Sequence, residues 1–197
     1  MTQRLFAFID AQNMYRGARR AFFAADAPSR FGQFHPGALG QLIAARRTDG
    51  RGDRTLAGVR IYTGRPDAAM DPKGNAANTR QCQAWEAEGV EVTTRNLQYL
   101  QGRRPTEKGI DVAIAIDLLR LARSGIFDVA VLCSADTDLL PAIDAVVEEA
   151  GLIVEVAGWR NGPYGQRIAA GGRDLFCHWL YRDNYDLVRD DTDYTAG

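Results

Sequence analysis

Short apolar runs alternate with helix-length amphipathic stretches along most of this chain, and that alternation constrains the fold more than any other feature. Leu5-Phe6-Ala7-Phe8-Ile9 reads as a first strand, Ala57 to Thr63 as a second, Val90 to Asn96 as a third, Val129 to Cys133 as a fourth and Leu152 to Ala157 as a fifth. Between them the pattern predicts helices over Gln12 to Ala24, Ala38 to Arg47, Asn75 to Glu88, Ile110 to Ser124 and Leu139 to Ala150. Gly89, Gly125 and Gly151 stand where such helices stop. The fourth strand is apolar throughout, as expected when both faces of a sheet are covered. Strands separated by helices mean an α/β fold with a parallel sheet between two helical layers. Right-handed crossovers then restrict the topology to a doubly wound sandwich.

At 197 residues, 46% of them hydrophobic and 25% charged, the chain is long enough for one domain with a substantial core. No apolar run approaches the ~18 residues of a membrane span. The start, Met1-Thr2-Gln3-Arg4, runs straight into the first strand without a signal-peptide cleavage region. Cys82, Cys133 and Cys177 are odd in number and lack metal-ligand spacing, which argues against disulfides and zinc and for a cytoplasmic location. Beyond Trp159 the pattern weakens into a Gly-rich stretch, a mixed segment from Leu175 to Tyr181 and an acidic run expected to fray. We therefore expect a domain over residues 1–181 and an acidic tail over 182–197.

A net charge of −1 gives no global attraction to nucleic acid. All but two of the 24 basic residues are Arg, the exceptions being Lys73 and Lys108. They cluster at Arg16, Arg19 and Arg20, at Arg46, Arg47, Arg51 and Arg54, and at Arg103, Arg104 and Lys108. Glycine-rich phosphate cradles are absent after every strand, so nucleotide binding of that kind is not supported.

Aspartates stand at the strand ends instead. Asp10 follows the first strand, Asp136 and Asp138 follow the fourth, and Asp111 falls in the first turn of the helix leading into the fourth. In a doubly wound sheet those positions share the rim where chemistry is placed. Each acid alone also fits a structural role: Asp136 or Asp138 as a helix N-cap, Asp10 with Asn13 as an Asx turn, Asp111 as a complement to the helix dipole. Together they favour a hard divalent cation, because converging carboxylates repel one another and Mg²⁺ or Mn²⁺ takes oxygen ligands. Asp117 lies about 9 Å along the helix from Asp111 and ~120° around it. It either supports the site from below or pairs with Arg120 or another Arg.

At these residues the sequence resembles the NYN domain family, the PIN-like nucleases, in its LabA-like bacterial branch. The matching stretches are Phe8-Ile9-Asp10-Ala11-Gln12-Asn13-Met14-Tyr15, Lys108-Gly109-Ile110-Asp111-Val112 with Asp117-Leu118-Leu119, and Ser134-Ala135-Asp136-Thr137-Asp138-Leu139-Leu140-Pro141. A weaker match is Trp85-Glu86-Ala87-Glu88-Gly89-Val90-Glu91-Val92. The resemblance implies a PIN-like three-layer α/β/α sandwich with a mostly parallel central sheet in the order 3-2-1-4-5. It implies Mg²⁺- or Mn²⁺-dependent cleavage of RNA, with Asp10, Asp111, Asp136 and Asp138 as metal-binding, catalytic acids. Asn13 and Ser134 are then orienting residues, with Asp117 in support. Pairing of two copies is a further expectation.

Basic residues bordering the rim, Arg16, Arg103, Arg104 and Lys108, are the candidates for RNA contact. Tyr15, Tyr62 and Tyr99 lie near strand ends, where stacking on bases competes with a more common core or hydrogen-bonded role. The loop from Ala25 to Gln33 and the segment from Thr48 to Arg54 lengthen the first crossover, as surface loops or as RNA-contacting insertions. His35 and His178 are isolated and suggest no nucleophilic pair, and Cys133 reads as a buried small apolar residue. Two other functions compete with cleavage: an RNA-binding module without turnover, and a phosphatase. The aspartyl-phosphate version of the latter wants an acid where Gln12 stands.

Overall fold

The first strand, β1 (Gln3–Asp10), runs through the centre of the sheet, buried from Leu5 onward. Its side chains alternate between two cores: Leu5, Ala7 and Ile9 enter one, Phe6 and Phe8 the other. Both faces are covered, which is why the run is continuously apolar. The computed structural model describes residues 2–46, 53–162, 169–170 and 173–196. After β1 come α1 (Ala11–Phe22), α2 (Pro36–Ala45), β2 (Arg54–Arg65), α3 (Pro72–Ala87), β3 (Glu91–Asn96), α4 (Ile110–Ser124) and β4 (Val129–Cys133). A 3-10 turn over Thr137–Leu139 leads into α5 (Leu140–Ala150) and β5 (Ile153–Trp159). A short antiparallel pair, β6 (Ala169–Ala170) and β7 (Arg173–Asp174), precedes β8 (Cys177–Leu180) and α6 (Arg182–Val188).

The main sheet has the order β3-β2-β1-β4-β5-β8, and each neighbouring pair is parallel. The expected order 3-2-1-4-5 is therefore present, extended by a sixth strand. Direction of progression reverses between β1 and β4, where Ile9 stands opposite Cys133. Residues of α1, α2, α3 and α6 pack on one face and residues of α4 and α5 on the other. Among the described residues no helix is long and apolar enough to cross a membrane.

Two expectations from sequence need correcting. The acidic run after Asp183 does not fray: α6 buries Tyr185 and Val188, Asp190 is 1% exposed, and the Tyr194 hydroxyl donates to Asp190 Oδ2 at 2.8 Å. Apolar residues spaced along the acidic run supply the packing that its composition concealed. The loop from Ala25 to Gln33, by contrast, lies largely at the surface, held there by the Arg19 guanidinium, which donates to the carbonyls of Ala27, Pro28 and Phe31 at 2.7, 2.7 and 2.9 Å. His178 is not isolated: it lies 2.8 Å from Glu155, itself forked by Arg54 at 2.7 and 2.9 Å, and the three side chains are buried. Burial favours the neutral Glu155, but the His178 and Arg54 hydrogen bonds outweigh it and hold that carboxyl down to about 2. Of the segment expected over Thr48 to Arg54, residues 48–52 lie outside the described residues and Arg54 opens β2.

Candidate metal centre

Asp10 closes β1 and caps α1. It is 6% exposed, and its Oδ1 accepts the Asn13 backbone N–H at 2.9 Å. One side-chain oxygen thus serves a helix start, as an Asx turn would, while the carboxylate borders the switch point. Burial is the main influence on this group, pushing its pKa up to about 6. The Asn13 hydrogen bond opposes the rise, and the charges of Glu107 and Asp111 add to it.

Asp111 arrives from the opposite core. The αL conformation of Gly109, φ +80°, turns the chain into α4 without a side-chain cap, and Asp111 follows in the first turn. Its pKa is raised by burial first, then by the nearby charges of Asp136 and Asp138. Asp136 stands behind β4, capping the 3-10 turn by accepting the Asp138 N–H at 2.9 Å. Its loop is tied down twice: Ala135 N–H donates to Asn13 Oδ1 at 3.1 Å, and Asp136 N–H donates to Ser134 Oγ at 3.1 Å. Ser134 is itself buried.

These groups border one cleft of about 240 Å³, lined by Asp10, Asp111, Asp136, Asn13, Arg16 and, unexpectedly, Glu107 and Arg20. Glu107 was missed because it occupies a connection without periodicity. Its spacing four residues before Asp111, across a glycine, was the available signal. Gly64 N–H donates to Glu107 Oε1 at 2.6 Å. A Cβ on Gly64 would lie 2.7 Å from Glu107 Cγ, so only glycine admits the carboxylate there. Burial raises the Glu107 pKa, the Gly64 hydrogen bond and the Arg16 charge lower it, and Asp111 raises it again.

Other expected residues lie elsewhere. Asp138 is exposed on the 3-10 turn and acts on the cleft through its charge on Asp111. Asp117 is away from the cleft lining: it meets Arg60 Nη1 at 2.8 Å and accepts the Tyr62 hydroxyl at 3.1 Å, with Arg120 at 3.9 Å. Tyr62 is fully buried, which removes it as a stacking surface. Tyr15 donates to the Ser29 carbonyl at 2.8 Å, and the Tyr99 hydroxyl accepts the Asp67 N–H at 3.1 Å. Arg103, Arg104 and Lys108 are exposed and do not line the cleft.

Among the described residues no group of three His, Cys, Asp or Glu side chains is arranged to hold a metal ion unaided. Carboxylates whose protonation is favoured by burial and mutual repulsion nevertheless suit a hard cation that keeps part of its water shell, since Mg²⁺ requires only one or two direct carboxylates. The donor set fits such an ion and excludes a soft one.

A model of the NYN domain matches residues 4–170. No match is found among curated proteins. Among solved structures, a Vibrio parahaemolyticus protein of unknown function aligns with a TM-score of 0.54 at 21% identity, covering 80% of this chain and 82% of that one. At that identity the likeness is one of fold. The family match runs from β1 to β6 and takes in every acid of the cleft, so this chain belongs to the NYN domain family, whose fold is nuclease-like.

Proposed function

We propose that the chain is a metal-dependent ribonuclease hydrolysing RNA phosphodiester bonds at the switch point between β1 and β4. The observation that carries this reading is the convergence of Asp10, Glu107, Asp111 and Asp136 on one cleft that also presents Arg16 and Arg20. A cleft so acidic repels a phosphate diester unless a cation offsets it, and the flanking guanidiniums give a substrate something to hold. One or two of Asp10, Glu107, Asp111 and Asp136 would hold Mg²⁺ or Mn²⁺ directly, and the others through its water. When bound, such an ion activates water for in-line attack and offsets charge on the phosphoryl oxygens.

The chain's own groups do the rest. Arg16 and Arg20 bind neighbouring phosphates as forked donors. Asn13 and Ser134 fix the loop that presents Asp136, and Asp138 adds negative potential at Asp111. Arg103, Arg104 and Lys108 track the backbone farther out. Family membership supports a nucleic-acid substrate, and RNA is the polymer that the resemblance implies.

The direct experiment incubates the full chain with labelled single-stranded RNA in Mn²⁺, in Mg²⁺ and in EDTA. Wild type cleaves with either ion and stops in EDTA, and Asp10→Asn and Asp136→Asn each lose about two orders of magnitude or more. Equal cleavage by wild type and variants contradicts the reading. The lack of a preformed three-ligand group favours a second reading, an RNA-binding module without turnover. RNA binding with no product over long incubation selects it.

A further inference from the structure

Beside the acid cleft, on the β2 side of Asp10, lies a second pocket of about 230 Å³. It is smaller than the ~300–1,000 Å³ of sites for drug-sized ligands and suits one small planar group. Tyr15 supplies a half-buried aromatic wall, the edges of the core residues Phe34 and Trp85 close the pocket behind it, and Gln12, Gln33 and Gln81 supply amides. The lining holds no Lys or Arg and includes Glu107. A phosphate is therefore repelled, whereas a neutral ring with N–H donors is favoured. Gln12 and Glu107 border both pockets, so the two adjoin.

Two polar atoms of the lining residues lack any hydrogen-bond partner: Gln33 Oε1, an acceptor, and Trp85 Nε1, a donor. Trp85 is 3% exposed, so its N–H is not satisfied by solvent either. Buried polar groups are almost always paired, and a pair of orphans of opposite type at one pocket marks a place for a ligand with an acceptor and a donor on one edge. Nucleobases have such edges, and unstacked bases of single-stranded RNA are read through them against aromatic surfaces.

We propose that this pocket receives one unstacked base of the RNA strand whose backbone crosses the acid cleft, and that it gives the protein a base preference. Both atoms are closed to solvent, so the base reaches them only as the half-buried Gln33 amide swings aside; it then presents a ring acceptor to Trp85 Nε1 and an N–H to Gln33. Glu107 borders the same base on its cleft side. This deepens the ribonuclease reading and rests on it for the identity of the polymer.

The test measures binding of the full chain, with Ca²⁺ present to offset the acid cleft, to four short labelled uridine-rich RNAs differing only in one central base. Wild type shows about a tenfold spread in affinity among the four, the size expected of one well-paired base edge. In Trp85→Phe, which keeps the ring and loses the N–H, and in Gln33→Leu, the spread falls below about threefold. Because Trp85 is a core residue, Gln33→Leu decides the case if Trp85→Phe fails to fold. Equal or undetectable binding of all four RNAs by wild type overturns the proposal, as does an undiminished spread in the folded variants. Cleavage of the same RNAs in Mn²⁺ is followed in parallel. Cleavage without a spread sinks the base pocket alone, and a spread without cleavage sinks the ribonuclease reading while the pocket stands.

Discussion

Asn13 Oδ1 accepts the Ala135 N–H at 3.1 Å, joining the first turn of α1 to the loop behind β4. Asn13 also donates its own N–H to Asp10. One residue thus sets the separation of Asp10 and Asp136, which are 126 positions apart in the chain. Asn13→Ala removes the side-chain link and leaves the backbone one. It is expected to cost only ~1 kcal/mol of stability, typical of one hydrogen bond. Cleavage is expected to fall by about tenfold or more, because small displacements of catalytic groups are costly. Urea denaturation and initial rates measured on one preparation check both.

Asp10→Asn separates stability from activity. The Asp10 pKa in the folded chain is raised from 3.8 to about 6, so the folded state holds a proton that the unfolded state has already released. Without metal, this group therefore lowers stability as pH rises through that window, and the deficit persists above it. Asparagine caps α1 as well as aspartate does. In EDTA near neutrality Asp10→Asn is expected to be more stable than wild type by ~2–3 kcal/mol, an upper figure at ~1.4 kcal/mol per pH unit. Near pH 4 the two converge. Denaturation curves at the two pH values report the sign.

Gly64→Ala tests the residue that sequence alone did not single out. The added methyl would stand 2.7 Å from Glu107 Cγ and 2.4 Å from Leu97 Cδ2, so both must move. Overpacking of this kind costs ~1–3 kcal/mol. We expect weaker Mn²⁺ binding and slower cleavage than in Glu107→Gln, which keeps the hydrogen bond to Gly64. Titration and rate measurements on the two variants give the order.

The buried group Arg54–Glu155–His178 lies outside the cleft and answers to stability alone. Glu155 is held down to about 2, so its contribution is present above the ordinary carboxylate range and is lost as pH falls toward 2. Arg54→Met removes the forked cation from the buried carboxylate and is expected to cost up to ~3–5 kcal/mol near neutrality. The deficit narrows on acidification. Thermal or urea unfolding across pH follows it.

How much of this was legible in the sequence depends on the range of the forces involved. Gly125 and Gly151 mark the ends of α4 and α5 because local backbone chemistry sets those stops. The β1–β4 neighbourhood came with the strand order 3-2-1-4-5 that the family resemblance implies, and with it the convergence of Asp10, Asp111 and Asp136. Edges decided by distant partners were harder. β2 begins at Arg54 rather than Ala57, since polar Arg54 is buried by Glu155 from β5. α3 begins at Pro72 rather than Asn75, because Asp71 accepts the Gly74 N–H at 2.8 Å and caps it. Cys177 to Leu180 is too short to announce itself and becomes a strand by pairing with β5. Asp117 was undecided between support and pairing because Arg60 lies 57 positions away, and Glu107 entered the cleft through a glycine on another strand.

The central claim is that the acids at the switch point hold a divalent ion, and Mn²⁺ binding at neutral pH measures this without reference to any substrate. Equilibrium titration of wild type, Asp10→Asn, Asp111→Asn and Asp136→Asn, each confirmed folded, is the measurement. The account predicts saturable binding by wild type, weakened by about tenfold or more in every variant, and a rise in wild-type unfolding temperature on adding the ion. Binding of equal strength in all four proteins, or none in wild type, would contradict it.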